Sequence, residues 1–434
     1  MKHTIGDLYQ MQSLPLKYKI IMTKERIRGW YDEFQGDVYV SFSGGKDSTV
    51  LVDIIDDMKY TDIPLVYVDT GLEYPEIREF VKSYGDRVTW LKPKINFRQV
   101  LDKYGYPFIS KEVSESVQGA RKYLTSIIND QKSLTDRQTD RPNRCFFERV
   151  TGTGKYQKKG NIPNVDQESL KKPSRGGTTG NIVDSEELAN LLNERMKNRS
   201  GGANQRLAIM LGMLTKEQTI KANIPSKDRS SFSLEKYKFF LDAPFEISNR
   251  CCNVMKKEPT HRYARETGKK PITAQMASES RLRTQKWLQN GCNGFELKNP
   301  ISNPMSFWTE QDVLQYIKEK NLKICSVYGD IVEDREGTDE VEGQMTISDL
   351  KGYEDMKMFD AEKLPLKTTG CQRTGCMFCG FGCHLEKSPN RFEKLKVTHP
   401  AIYDYIMRPK EQGGLNYKEV IDWINENGNI EIKY

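Results

Sequence analysis

Residues 41–50 read SFSGGKDSTV, between an apolar run, DVYVSF over 37–42, and a helical one, DSTVLVDIIDDM over 47–58. A buried strand that passes through a turn rich in glycine and hydroxyls into a helix presents backbone N–H groups and the positive end of a helix dipole to whatever lies in the turn. A phosphate suits that position. Gly44 and Gly45 let the backbone come close, Ser43, Ser48 and Thr49 offer hydroxyls, and Lys46 supplies a point charge. The GxxxxGK[ST] spacing of a Walker A loop is absent. Asp47 adds a hard oxygen ligand suited to Mg²⁺ held against a triphosphate.

Strand-like and helix-like segments continue to alternate beyond the turn. IPLVYVDT (63–70) reads as a second apolar strand and YPEIREFVKSYG (74–85) as an amphipathic helix. RVTWLKP (87–93) is a third strand and FRQVLDKYG (97–105) a further helix. This spacing implies βαβ units, hence an α/β fold with a doubly wound parallel sheet of Rossmann type. Four parts follow along the chain. Residues 1–150 form the nucleotide-binding α/β part, and 151–202 an insertion. Residues 203–330 complete the α/β domain, and 331–434 form a cysteine-rich, mostly helical region.

The 434 residues carry a net charge of +7, which permits a polyanionic partner without demanding one. The opening MKHTIGDLYQMQSLPLKYK lacks an apolar signal region, and no window approaches 18 apolar residues. The expectation is a cytoplasmic protein with no membrane association. The 151–202 stretch holds eight glycines, and no Phe or Trp occurs between Phe147 and Phe232. It reads as an insertion, mobile in part. QRLAIMLGMLTKEQ (205–218) has helical spacing, TEQDVLQYIKEKN (309–321) is an amphipathic helix with Thr309 as N-cap, and KEVIDWINEN (418–427) is another helix. The acidic GDIVEDREGTDEVEG (329–343) is expected as a surface loop.

The full string Ser-Gly-Gly-Lys-Asp-Ser after an apolar strand resembles the PP-loop of the ATP pyrophosphatases, the adenine nucleotide alpha hydrolase superfamily. The resemblance implies that the loop grips the pyrophosphate end of ATP while attack falls on the α-phosphate. VDTGLEYPEIREFV (68–81) is similar to the phosphoadenosine phosphosulfate reductase branch, which implies adenosine contact by Asp69, Thr70 and Gly71. Glu73 and Glu76 are read as facing solvent. ITAQMASESRLRTQKW (272–287) is similar to an anion-binding stretch of that branch, with Glu279, Ser280 and Arg283 matching and Ala274 and Met276 departing from its Gly and Arg. Arg281 and Arg283 are candidate phosphate or sulfate ligands. Lys46 and Asp47 suit a triphosphate with Mg²⁺ better than a sulfonucleotide, which lacks a β,γ-pyrophosphate, so ATP is the favoured substrate.

The nine cysteines are unevenly placed, and in a reducing compartment clustering argues for metal or redox chemistry. GCQRTGCMFCGFGCHLE (370–386) spaces Cys371, Cys376, Cys379 and Cys383 as C-x4-C-x2-C-x3-C, suited to Zn²⁺ or an iron–sulfur cluster. RCCNVMKKEP (250–259) resembles the paired-cysteine motif of cluster-bearing sulfonucleotide reductases, which implies Cys251, Cys252, Cys376 and Cys379 around a 4Fe–4S cluster. Adjacent side chains diverge, so the expected set is Cys252 with Cys371, Cys376 and Cys379. Cys383 then remains as a reactive thiol whose pKa His384 lowers. All four C-terminal cysteines on one Zn²⁺ is the competing arrangement. Cys145, Cys292 and Cys325 are isolated, and core packing is the default for each.

Three functions compete. The first is an enzyme that adenylylates an acceptor with ATP, so that cysteine- or cluster-borne sulfur can displace AMP. The resemblance implies a nucleic-acid acceptor, tRNA or DNA, together with a sulfur donor or thiol reductant protein. The second is a phosphoadenosine or adenosine phosphosulfate reductase that releases sulfite. The third is a nucleotide- and cluster-binding accessory protein of a DNA-modification or phage-defence system. A homo-oligomer is compatible with each.

Overall fold

The computed structural model describes residues 3–128, 234–334 and 364–434. These fall into two compact units, each discontinuous in sequence: Met1–Lys94 with Val254–Met377, and Ile95–Asn253 with Phe378–Tyr434.

The first unit is built on a six-stranded sheet. Strand β1 (Val38–Ser41) lies between β2 (Leu65–Val68) and β5 (Lys270–Ile272), parallel to both. Beyond β2 comes β3 (Val88–Leu91), parallel to it. Beyond β5 come β7 (Ile301–Ser302), parallel, and β6 (Asn293–Gly294), the one antiparallel strand of this sheet. Val38, Val40 and Leu65 have no solvent exposure, as expected of strands covered on both faces.

Helix α3 (Lys46–Asp57) follows β1 and buries Val50, Leu51, Ile54 and Ile55 in that core. Two N-terminal helices, α1 (Ile5–Gln12) and α2 (Leu16–Glu33), precede the sheet and were not anticipated, although α2 buries Leu16, Lys19, Thr23, Ile27 and Trp30 at helical spacing. Four further helices complete the elements needed here: α4 (Pro75–Lys82), α7 (Glu258–Thr267), α8 (Arg281–Asn290) and α9 (Glu310–Lys320). Thr309 caps α9 as the sequence indicates: its hydroxyl accepts from the Asp312 N–H, and the Asp312 carboxylate accepts from the Thr309 N–H at 2.7 Å. The same carboxylate pairs with buried Lys19 at 2.6 Å, tying α9 to α2.

The second unit contains α5 (Phe97–Tyr104), β4 (Phe108–Ile109), α6 (Lys111–Ile128), β10 (Gly380–Phe381), α10 (Arg391–Thr398), α11 (Pro400–Met407) and α12 (Tyr417–Gly428). β4 and β10 pair in parallel. A Cβ at position 380 would sit 2.5 Å from the Phe108 ring, so glycine is required there. Tyr106, Phe108, Phe239, Phe240 and Tyr417 are all buried. Tyr417 donates its hydroxyl to the Phe378 carbonyl at 2.6 Å.

The acidic stretch differs from its loop expectation at one end. Ile331–Glu333 forms β8, antiparallel to β9 (Leu366–Thr368). Residues 335–343 of that stretch, the 151–202 insertion, the 205–218 segment and Cys145 lie outside the described residues. No described helix is long and apolar enough to cross a membrane.

Candidate nucleotide site and cysteine set

The loop between β1 and α3 has the expected form. Gly44 takes a φ of 71°, and a Cβ there would come within 2.7 Å of Val81 on α4, so both backbone conformation and packing select glycine. Side-chain hydroxyls accept from the loop's N–H groups. The Ser43 N–H donates to Ser48 Oγ at 3.3 Å, the Gly45 N–H to Ser43 Oγ at 3.2 Å and the Lys46 N–H to Tyr328 Oη at 3.1 Å. A phosphate would replace one set of oxygen acceptors by another. Tyr328 is held in turn by Thr374, their hydroxyls 2.6 Å apart.

Lys46 is 3 % exposed. Its ammonium donates to the Gln372 carbonyl at 3.1 Å and lies 3.1 Å from Glu310 Oε1 and 3.4 Å from Asp47 Oδ1. Burial opposes the charge, but Asp47 and Glu310 outweigh it and raise the pKa. Asp47 is governed by burial, which pushes its pKa up against the pull of Lys46. Its Oδ1 is buried and accepts no hydrogen bond. A carboxylate oxygen beside a phosphate loop, with the Lys46 ammonium at 3.4 Å to offset part of its charge, fits the Mg²⁺ role expected of Asp47.

A cavity of about 550 Å³ opens beside the loop, lined by Ser43 and Phe42 after β1, Tyr67 and Val68 on β2, and Thr273 and Gln275 after β5. It lies at the carboxyl ends of parallel strands, where open α/β sheets bind ligands. Not every expected contact lines it. Asp69 is turned to Arg78 at 2.9 Å and borders a separate groove with Lys82, Trp90 and Lys92. Thr70 donates its hydroxyl to Glu73 at 2.7 Å, and Gly71 supplies the positive φ, 73°, of that turn. Glu73 was read as facing solvent. It instead lines the cavity and pairs with Lys256 at 3.2 Å, its side chain 11 % exposed.

Glu279 accepts from the Met276 N–H at 2.8 Å and forms an ion pair with Arg283. Arg283 is within electrostatic reach of Asp47 and Arg373, while Arg281 is exposed. Lys256, Glu310, Tyr328 and Gln372 were missed because each reaches the loop or cavity from a distant segment. For Lys256, burial opposes the charge, yet the Cys376 sulfur and Glu73 outweigh it and raise the pKa.

A phosphoadenosine phosphosulfate reductase domain model matches residues 37–124 and 201–380, more than half of the chain. The chain belongs to this family. Two uncharacterized proteins of Methanocaldococcus jannaschii, MJ0066 and MJ0973, are each 34 % identical to it, over 85 and 88 residues, or 19 % of this chain. The chain spans only 18 % and 21 % of their lengths.

The paired cysteines and the later cysteine cluster of this family member fall in both units. Cys371 and Cys376 belong to the first, and Cys251, Cys252, Cys379 and Cys383 to the second. Cys376 faces Lys256, and Cys252 lies within electrostatic reach of Cys379. Among the described residues no three His, Cys, Asp or Glu side chains are grouped to hold a metal ion. The thiols suit a cluster or Zn²⁺ in chemistry, and no step is derived through one.

Cys383 departs from its expectation as a low-pKa thiol. It is 1 % exposed, its sulfur sits 2.9 Å from the Gly380 carbonyl, and burial pushes its pKa up to about 12 despite Arg391 nearby. His384 is itself lowered by burial and brings no cation to help. Cys292 and Cys325 are buried at 6 % and 1 % exposure, in keeping with core packing.

Proposed function

We propose that the chain is an ATP pyrophosphatase-type enzyme that adenylylates an acceptor, a nucleic acid, as the activating step of cysteine-dependent sulfur transfer. The observation that carries this reading is the intact loop: two glycines, a buried ammonium and a buried carboxylate oxygen beside it, with a nucleotide-sized cavity next to them. A sulfonucleotide has no β,γ-pyrophosphate to use the Lys46–Asp47 pair, whereas ATP does.

In the proposed reaction an acceptor oxygen attacks the α-phosphorus, the α–β bridging bond breaks, and pyrophosphate leaves. Lys46 supports the charge that builds on the leaving group, and the N–H groups of Ser43, Gly45 and Lys46 exchange their hydroxyl partners for phosphate oxygens. Asp47 and Glu310 hold Lys46 in its charged form. Mg²⁺, when bound, would neutralise phosphate charge, with Asp47 the residue to hold it. A persulfide sulfur, received on a cysteine of this chain from a donor protein, then attacks the activated carbon and AMP leaves. A thiol of a reductant protein cleaves the resulting cysteine–acceptor disulfide, forming a mixed disulfide with the cysteine and freeing the thiolated acceptor. A 4Fe–4S cluster or Zn²⁺ on Cys252, Cys371, Cys376 and Cys379 is part of the proposal, to be checked by iron, sulfide and zinc analysis of anaerobically purified protein.

The test is pyrophosphate release from Mg-ATP by anaerobically purified protein, with and without added tRNA or DNA. Release stimulated by one nucleic acid is expected. Sulfite formed from a sulfonucleotide and a thiol reductant, with no pyrophosphate from ATP, would overturn the reading in favour of a reductase.

A further inference from the structure

A second cavity, of about 330 Å³, lies beside the first in the same unit and shares Gln275, Lys286, Ile301 and Asn303 with it. It forms between α8 and the β6–β7 hairpin, and none of its lining residues is acidic. Its polar lining is dominated by carboxamides, of which Gln275, Gln289, Asn290 and Asn299 make no side-chain bond to protein among the described residues. Each carboxamide offers a donor and an acceptor side by side. The apolar wall is made by Met276, Trp287 and Leu297.

Trp287 supplies the aromatic part of that wall. It is 3 % exposed and stacks on His3 at 4.8 Å. Its indole N–H has no hydrogen-bond partner, and it faces only the sulfur of Cys292, a weak acceptor. Arg283 and Lys286 line the same cavity, and Arg283 is also within electrostatic reach of Asp47 on the phosphate loop.

Together these features narrow the ligand chemistry. A metal ion has no carboxylate to bind. A sugar is best held by carboxylates that accept pairs of hydroxyl protons, and those are absent too. A fatty or purely apolar group would strand the carboxamides. Adjacent donor–acceptor pairs, an apolar and aromatic wall and two cations match a nucleobase carrying a phosphate: carboxamides pair with the edges of bases, and cations with the phosphate.

We infer that this second cavity is a nucleobase subsite, where the base of the acceptor docks while Mg-ATP occupies the larger cavity. The inference rests on the reading above for both the nucleic-acid acceptor and the Mg-ATP in the larger cavity.

The experiment uses the full chain saturated with a non-hydrolysable ATP analogue. Two fluorescent probes are titrated in: 2-aminopurine riboside monophosphate and a single-stranded heptanucleotide with one central 2-aminopurine. Saturable quenching is expected, and the double variant Gln289→Ala, Asn299→Ala should weaken it at least tenfold. Both side chains are exposed and neither lines the larger cavity, so the thermal transition should be unchanged. Quenching of the heptanucleotide alone assigns the base to a polynucleotide, and quenching by both probes to a free nucleotide. Absence of saturable quenching by either probe, or quenching that the double variant leaves intact, overturns the subsite. If calorimetry shows that the analogue does not bind, the ATP reading fails by itself. The comparison of parent and double variant still reports on the subsite.

Discussion

Lys46 and Cys383 are buried to almost the same degree, 3 % and 1 % exposed, and burial has opposite results for them. Two carboxylates surround the ammonium, so it keeps its charge in a place where desolvation would otherwise neutralise it. The thiol has a carbonyl as its hydrogen-bond partner, and its cation, Arg391, is already engaged with Glu386, so it stays protonated. Burial alone therefore says nothing about reactivity. The partners that come with it decide whether a buried group is armed or silent.

The first way to break the contrast is at the armed end. Lys46→Ala should lower pyrophosphate release by about three orders of magnitude, because a charge placed for the leaving group acts in a water-poor site. Iron content, measured in parallel, should not move. Full turnover by this variant would remove the loop from the mechanism.

At the silent end, a thiol with a pKa of about 12 carries roughly one part in ten thousand of thiolate at pH 8. Iodoacetamide labelling of protein stripped of metal by a chelator, followed by peptide mass spectrometry, should mark Cys383 at under about a hundredth of the rate of Cys252, which is partly exposed. Equal labelling would show that the thiol is activated after all.

The smallest effect sharpens the rule on a third group. Asp242, in the second unit near Lys238 and Arg121, is raised by burial from 3.8 to about 6, so the fold favours its neutral form. That contribution is complete below the unfolded pKa and is lost as pH rises through about 6. Asp242→Asn cannot ionise, and should stabilise the protein at pH 7.5 by about 1–2 kcal/mol, allowing for partial solvent screening. The gain should fade toward pH 4, as followed by denaturant unfolding. A gain that is the same at both pH values would point to some cause other than the carboxyl charge.

What the sequence disclosed follows the same physical line. The phosphate loop was legible because its determinants are contiguous: Gly44, Gly45 and Lys46 act through their own backbone and the helix they begin. The strands and helices of residues 37–105 were legible by periodicity, as was the Thr309 cap. Glu73 and Cys383 were read wrongly for one reason, since their surroundings come from segments far away in sequence. Lys256 lies 183 positions from Glu73, and no local pattern records that pairing. The α2 helix did carry a signal, the Leu16–Lys19–Thr23–Ile27–Trp30 stripe, but a buried lysine within it disguised the apolar face.

The pairing of β1 with β5 has a consequence for how the protein is made. Val40 lies beside Ile272, so one side of the central strand has no neighbour until the ribosome has added about 230 more residues. At roughly 5–20 residues per second this lasts on the order of tens of seconds. Throughout that time β2 can cover one edge of β1, while the other offers unpaired N–H and carbonyl groups to any passing strand. The nascent chain therefore carries its nucleotide loop on an incomplete sheet for much of its synthesis, and yield should depend on translation speed and on chaperones that cover that edge.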